Sequence, residues 1–176
     1  MIYNEREERH QHILEVARQM MTAARTAPKG KGVDIIEIGM ADGEELEELA
    51  VKMEKLADQT GMKFLLRDAG NMRESECVML VGTRPEAQGL NCYHCGYERC
   101  SDRKADVPCA INSIDVGIAI GSACATAADL RVDTRVMFSA GLAAQKLEWL
   151  GSAEQVMAIV ISASSKSPFF DRKPKK

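Results

Sequence analysis

The run Val156-Met157-Ala158-Ile159-Val160-Ile161 constrains the fold most strongly. It is continuously apolar, so it reads as a central strand covered on both faces. A second apolar run, Cys77 to Val81, reads as another strand, broken by Gly82-Thr83-Arg84-Pro85. Val33 to Ile38 is a short strand candidate, and Lys63 to Leu66 a smaller one followed by one or two helical turns over Arg67 to Ser75.

Helical stripes separate these runs. Asn4 with Glu7 caps a first helix whose apolar face is Ile13, Val16, Ala17, Met20, Met21 and Ala24. Ala27-Pro28 ends it, and Lys29-Gly30-Lys31-Gly32 forms a basic loop. A second helix starts near Asp42-Gly43-Glu44-Glu45, carries Leu46, Leu49, Ala50, Met53, Leu56 and Ala57, and stops at Gly61. Pro108 opens a third helix, Cys109 to Leu130, apolar on most of its surface and expected to be buried. Within it Gly117, Gly121 and Ala125 recur every four residues, a groove suited to helix packing. Asp133 is expected to cap a fourth helix, with Val136, Ala140, Ala143, Ala144 and Leu147 inward and Gly151 at its end. Strands interleaved with helices give a layered α/β or α+β fold. With no internal repeat and no linker, residues 1–176 read as one domain.

The composition bounds the partners. A chain 45% hydrophobic and 28% charged is globular rather than disordered. A net charge of −3, with both signs spread along the chain, gives no footprint for nucleic acid. No stretch is expected to reach the ~20 apolar residues of a membrane span. The start, Met1-Ile2-Tyr3-Asn4-Glu5-Arg6, lacks a signal-peptide core. The expected location is therefore cytoplasmic, with no membrane partner.

In a reducing compartment disulfides are rare, so clustered cysteines point to metal or redox chemistry. Of six cysteines, Cys92, Cys95, Cys100 and Cys109 lie together in a Gly-, Asn- and Tyr-rich segment, residues 89–110. Iron–sulfur clusters are held by four thiolates, usually three close in sequence and one more distant. Gly96 lets the backbone curl so that N–H groups point at the sulfurs. Cys109 is at a helix N-terminus, where the dipole favours a thiolate. Zinc also accepts four cysteines, but its ligands usually pair as two short hooks, and Cys100 and Cys109 make none. Zinc, an unligated thiol cluster and a Cys-x-x-Cys redox pair stay open as alternatives. His94 reads as a solvated loop residue, His10 and His12 as exposed, and Cys77 and Cys124 as small buried hydrophobes. No nucleophile triad and no glycine-rich nucleotide fingerprint is present, so catalytic residues stay unassigned.

The segment Gly89-Leu90-Asn91-Cys92-Tyr93-His94-Cys95-Gly96-Tyr97-Glu98-Arg99-Cys100, then Val107-Pro108-Cys109-Ala110, resembles a family of ferredoxin domain-containing proteins from anaerobic bacteria and archaea. Further matching stretches are Ala23 to Gly32, Arg67-Asp68-Ala69, Asp115 to Ala123, and Phe169-Phe170-Asp171-Arg172. The resemblance covers nearly the whole chain, and its cysteine motif is similar to four-cysteine 4Fe–4S modules of redox subunits. It implies an electron-transfer protein with a redox partner that carries no signature in the chain. Outside the cysteines the layout resembles the flavin-dependent nitroreductase fold. That likeness implies a three-layer architecture, a small central sheet flanked by helices, a long buried central helix and a homodimer. It also implies FMN, although the Arg-x-Ser-x-Arg segment that grips the FMN phosphate is absent before helix one. Arg25, Lys29, Lys31 and Arg172 are the basic residues left to meet FMN or another anion.

Overall fold

Alternation along two central strands decides the architecture. In β2 (Cys77–Thr83) every residue is buried. Its odd positions Cys77, Met79 and Val81 enter one core, and Val78 and Leu80 enter another. β4 (Glu154–Ser162) divides the same way, with Ile159 and Ile161 on one face and Val156, Ala158 and Val160 on the other. Period-two side chains force this split, so each face needs its own layer of helices.

The computed structural model describes residues 1–171. Its sheet has the order β1-β2-β4-β3, with β1 at Ile36–Asp42 and β3 at Asp133–Met137. All three pairings are antiparallel, running from Ile36↔Thr83 to Asp42↔Cys77, from Cys77↔Ile161 to Thr83↔Glu154, and from Asp133↔Ser162 to Met137↔Ala158. A wholly antiparallel sheet covered on both faces settles the pairing as α+β within a three-layer sandwich. One outer layer holds α1 (Glu5–Thr26) and α4 (Ala110–Asp129). The other holds α2 (Glu44–Thr60), α3 (Phe64–Arg73) and α5 (Phe138–Lys146). Each fully buried large side chain, such as Met20, Leu49 or Ile159, contributes about 1.5–3 kcal/mol of transfer free energy.

Local signals place most elements. Asn4 caps α1 by accepting from the Arg6 N–H at 3.1 Å, and its amide donates to Glu7 at 3.1 Å. Gly61 ends α2 in the left-handed region at φ 74°. The first strand begins later than the Val33–Ile38 expectation, because pairing with β2 extends it through Gly39 and Ala41 to Asp42.

Two element assignments change type. Lys63–Leu66 is not a strand but the entry to α3, whose buried Leu65, Asp68, Ala69 and Met72 follow helical spacing. Asp133 does not cap a helix. It begins β3, because pairing with β4 captures the segment, and α5 starts only at Phe138.

The long helix α4 buries one side, through Val116, Ala119, Ala123 and Ala127, against the layer that contains α1. Ser122 donates to the Ala23 carbonyl of α1 at 2.9 Å. Its opposite side stays open in the single chain, with Ile114 47% and Ile118 39% exposed. Gly117 and Gly121 lie on open space rather than in a packed groove, since a Cβ there would meet no atom within 4 Å. By length and composition alone α4, 20 residues long, does reach membrane-span character, contrary to the sequence expectation. Its alanine face instead serves the core beneath it.

Candidate metal centre

One connection stands out by length. From Arg84 to Cys109 the chain carries no strand or α-helix, only a 3₁₀ turn at Cys100–Asp102. A connection longer than about 15 residues in a compact domain is usually functional or a linker. All four clustered cysteines belong to this one, and it delivers its last cysteine to the start of α4.

The segment is folded by tight local turns. Asn91, Tyr93 and Gly96 adopt φ of 50°, 63° and 87°. Left-handed backbone at three positions so close together curls the chain back on itself, and only Gly96 does so without steric cost. The Gly96 N–H closes a turn onto the Tyr93 carbonyl at 2.9 Å. Asn91 and Cys100 then tie the two arms together. The Asn91 N–H donates to Cys100 Sγ at 3.4 Å, and the Cys100 N–H donates to Asn91 Oδ1 at 2.8 Å.

All six cysteines are free thiols. Cys92, Cys95 and Cys100 are half-buried, whereas Cys109 is buried and forms the N-cap position of α4. Its carbonyl accepts from the Ser113 N–H at 3.2 Å and the Ser113 hydroxyl at 3.3 Å. Among the described residues no three His, Cys, Asp or Glu side chains are grouped closely enough to hold a metal ion as they stand. The donor chemistry suits an iron–sulfur cluster: four free thiols on one curled segment, one of them already accepting a backbone N–H. The remaining two cysteines differ in kind. Burial, with Asp42 and Glu76 nearby, pushes the Cys77 thiol up to about 12. Burial also raises Cys124.

The neck of the segment is held by polar groups that the cysteine spacing does not reveal. Arg103 donates from Nη2 to the Pro85 carbonyl at 3.1 Å and from Nη1 to the Val107 carbonyl. Asn112, 1% exposed on the first turn of α4, donates to the Glu86 carbonyl at 2.7 Å. Lys31 donates to the Gln88 carbonyl at 3.0 Å. Asp115, one turn further along α4, accepts the Gly30 N–H with both oxygens at 3.0 Å. Asn112 and Asp115 were findable as polar residues inside an otherwise apolar helix, a departure that demands partners.

The basic residues expected to meet an anion are engaged by the protein itself. Arg25 pairs with Asp34 at 2.7 Å and donates to the Ile36 carbonyl at 2.7 Å. Lys29 caps the end of α1 by donating to the carbonyls of Ala24, Arg25 and Ala27. Lys31 holds Gln88 as described, and Arg172 lies outside the described residues.

Residues 105–172 match the family model described as uncharacterized protein containing a ferredoxin domain (DUF2148). An uncharacterized protein from Archaeoglobus fulgidus is 44% identical over 186 aligned residues, covering all of both chains. The chain belongs to this ferredoxin-domain family. The matched span includes Cys109 and all of α4, and begins after Cys92, Cys95 and Cys100. The ferredoxin-domain chain also shares its fold with solved nitroreductases. A nitroreductase with bound FMN from Bacteroides fragilis aligns at a TM-score of 0.62 with 14% identity, over 92% of this chain and 83% of that one. Another with bound FMN, from Desulfitobacterium hafniense, aligns at 0.58 with 15% identity, over 86% and 78%. At these identities the likeness establishes the three-layer nitroreductase-like fold.

Proposed function

We propose that Cys92, Cys95, Cys100 and Cys109 hold an iron–sulfur cluster of the 4Fe–4S kind and that the protein transfers electrons. The observation that carries this reading is the curled segment from Arg84 to Cys109. It bears four free thiols and an N–H donor already directed at Cys100 Sγ. Membership of a ferredoxin-domain family supports it. A cluster so held takes up and releases single electrons at a potential tuned by N–H···S bonds and solvent exposure. The chain's own part is to supply thiolates, to bend the segment at Tyr93 and Gly96, and to anchor Cys109 on a rigid helix. Ligand binding would draw the cysteine arms together, as metal sites commonly order the chain that forms them.

A second reading is favoured by the fold. Several structural neighbours are described as FMN-containing nitroreductases or oxidoreductases, so the chain would bind FMN and reduce a substrate with electrons fed through the cluster. Both readings fit a cytoplasmic homodimer. The open face of α4 and the neighbouring Phe138, 50% exposed, form an apolar groove of about 430 Å³ lined by Gly117, Ile120, Phe138, Leu142 and Met157. A partner copy would cover it, and a monomer by sedimentation at micromolar concentration would contradict that assembly.

Anaerobic purification separates the readings. Broad brown absorption with iron and sulfide supports the cluster. An added yellow flavin spectrum released on denaturation supports the second reading. A colourless protein carrying about one zinc per chain would overturn both.

A further inference from the structure

The cysteine segment leaves the domain at Pro85 and returns at Val107, and one side chain spans that gap. Arg103 directs one terminal nitrogen to the Pro85 carbonyl at 3.1 Å and the other to the Val107 carbonyl. It is also fixed to a cysteine. The Arg103 backbone N–H donates to the Cys100 carbonyl at 3.4 Å, closing the 3₁₀ turn, so Arg103 and Cys100 share one short turn.

We propose that Arg103 is a positioning residue: it latches the neck of the cysteine segment, so that the arms bearing Cys92, Cys95 and Cys100 close toward Cys109 from a fixed base when iron binds. The proposal rests on the cluster reading given above. The latch suits arginine, because its planar fork sends a separate terminal nitrogen to each carbonyl, whereas a lysine ammonium is a point donor that serves several carbonyls only where they converge on it, as those of Ala24, Arg25 and Ala27 do on Lys29. Two further contacts anchor the entering arm of the neck. Asn112 holds Glu86 from the first turn of α4, and Lys31 holds Gln88 from the loop after α1. The neck is therefore fixed to the helix that carries Cys109, and the three cysteines beyond it are swung from that anchored base. Outer contacts that orient metal ligands typically change metal affinity 10–100-fold when removed.

The test uses the full-length chain, prepared without oxygen and reconstituted with ferrous iron and sulfide, as wild type, Arg103→Ala and Arg103→Lys. In the metal-free proteins, amide exchange should accelerate across residues 85–108 in both variants, with the sheet and helices unchanged. In the reconstituted proteins, loss of iron to a chelator should be about tenfold faster or more in both variants. The reduction potential should also move, since an opened neck admits water to the cluster. Wild-type exchange, iron retention and potential in Arg103→Ala would overturn the latch. Acceleration spread over the whole domain would also overturn it, by making Arg103 a general fold residue, and full rescue by Arg103→Lys would remove the bridging role. Wild type that takes up no iron would sink the cluster reading, and the positioning role with it.

Discussion

Asn91 and Cys100 hold each other through two reciprocal hydrogen bonds, N–H to Sγ at 3.4 Å and N–H to Oδ1 at 2.8 Å. The first bond needs only the Asn91 backbone. The second needs its side chain, and φ 50° at Asn91 suits asparagine better than most residues. Asn91→Ala should therefore lose both the acceptor and the backbone ease, together about 2 kcal/mol of local order. Asn91→Gly should recover the backbone part alone. Exchange of the Cys100 amide checks this, with the expected ranking alanine fastest, glycine intermediate and wild type slowest.

The cysteines should divide by environment. Cys100→Ser and Cys109→Ser should abolish iron retention after anaerobic reconstitution, because each removes one of four thiolates. Cys77→Ser should retain iron but destabilise the fold by about 1–3 kcal/mol, since it buries a hydroxyl in an apolar core. Cys77 is fully buried among β-sheet and α1 side chains. Iron assay and urea unfolding read the two effects separately, and equal iron in all three variants would mean that the ligand set is wrong.

Much of this was legible in the chain, and the failures have physical causes. The caps at Asn4 and Gly61 and the apolar runs at β2 and β4 announced their elements because local chemistry and tertiary demand agree there. β3 was hidden because Asp133 reads locally as a cap, and only pairing with β4 makes it a strand. The opening of α3 misled because Phe64, Leu65 and Leu66 are consecutive apolar residues, although only Leu65 is buried. The open face of α4 could not be told from its core face, since both are apolar. At the site, cysteine spacing marked the thiols. The latch at Arg103 left no pattern, because its partners are backbone carbonyls that any residue supplies.

Gly141 on α5 should tolerate no side chain. A Cβ there would lie 2.0 Å from the Val156 carbonyl oxygen and 2.7 Å from the Met157 Cα of β4. Gly141→Ala should cost about 3 kcal/mol or more, because backbone on both sides must separate. Gly70→Ala, in α3 with no atom within 4 Å, should instead stabilise by up to about 1 kcal/mol. Urea unfolding of the pair gives the comparison, and equal effects would contradict the packing described.

His10 joins α1 to the ends of β1 and β2, with Nδ1 3.0 Å from Glu76 and Nε2 3.2 Å from Asp42. The Glu76 contact, seconded by Asp42, raises its pKa above the ordinary value of about 6.5. A raised folded pKa means that the stabilisation is fully present below pH ~6.5 and is lost as pH rises through the higher folded value. Half-exposure keeps the effect small. The melting temperature of wild type minus that of His10→Ala should be larger at pH 6 than at pH 9. A difference independent of pH would remove the charged pairing.

The iron K-edge absorption spectrum of protein purified without oxygen goes furthest toward deciding what the cysteine segment does. A cluster on Cys92, Cys95, Cys100 and Cys109 gives iron surrounded by sulfur alone, with a second shell of neighbouring iron. Iron in a shell of nitrogen and oxygen, or zinc in its place, would contradict the electron-transfer reading.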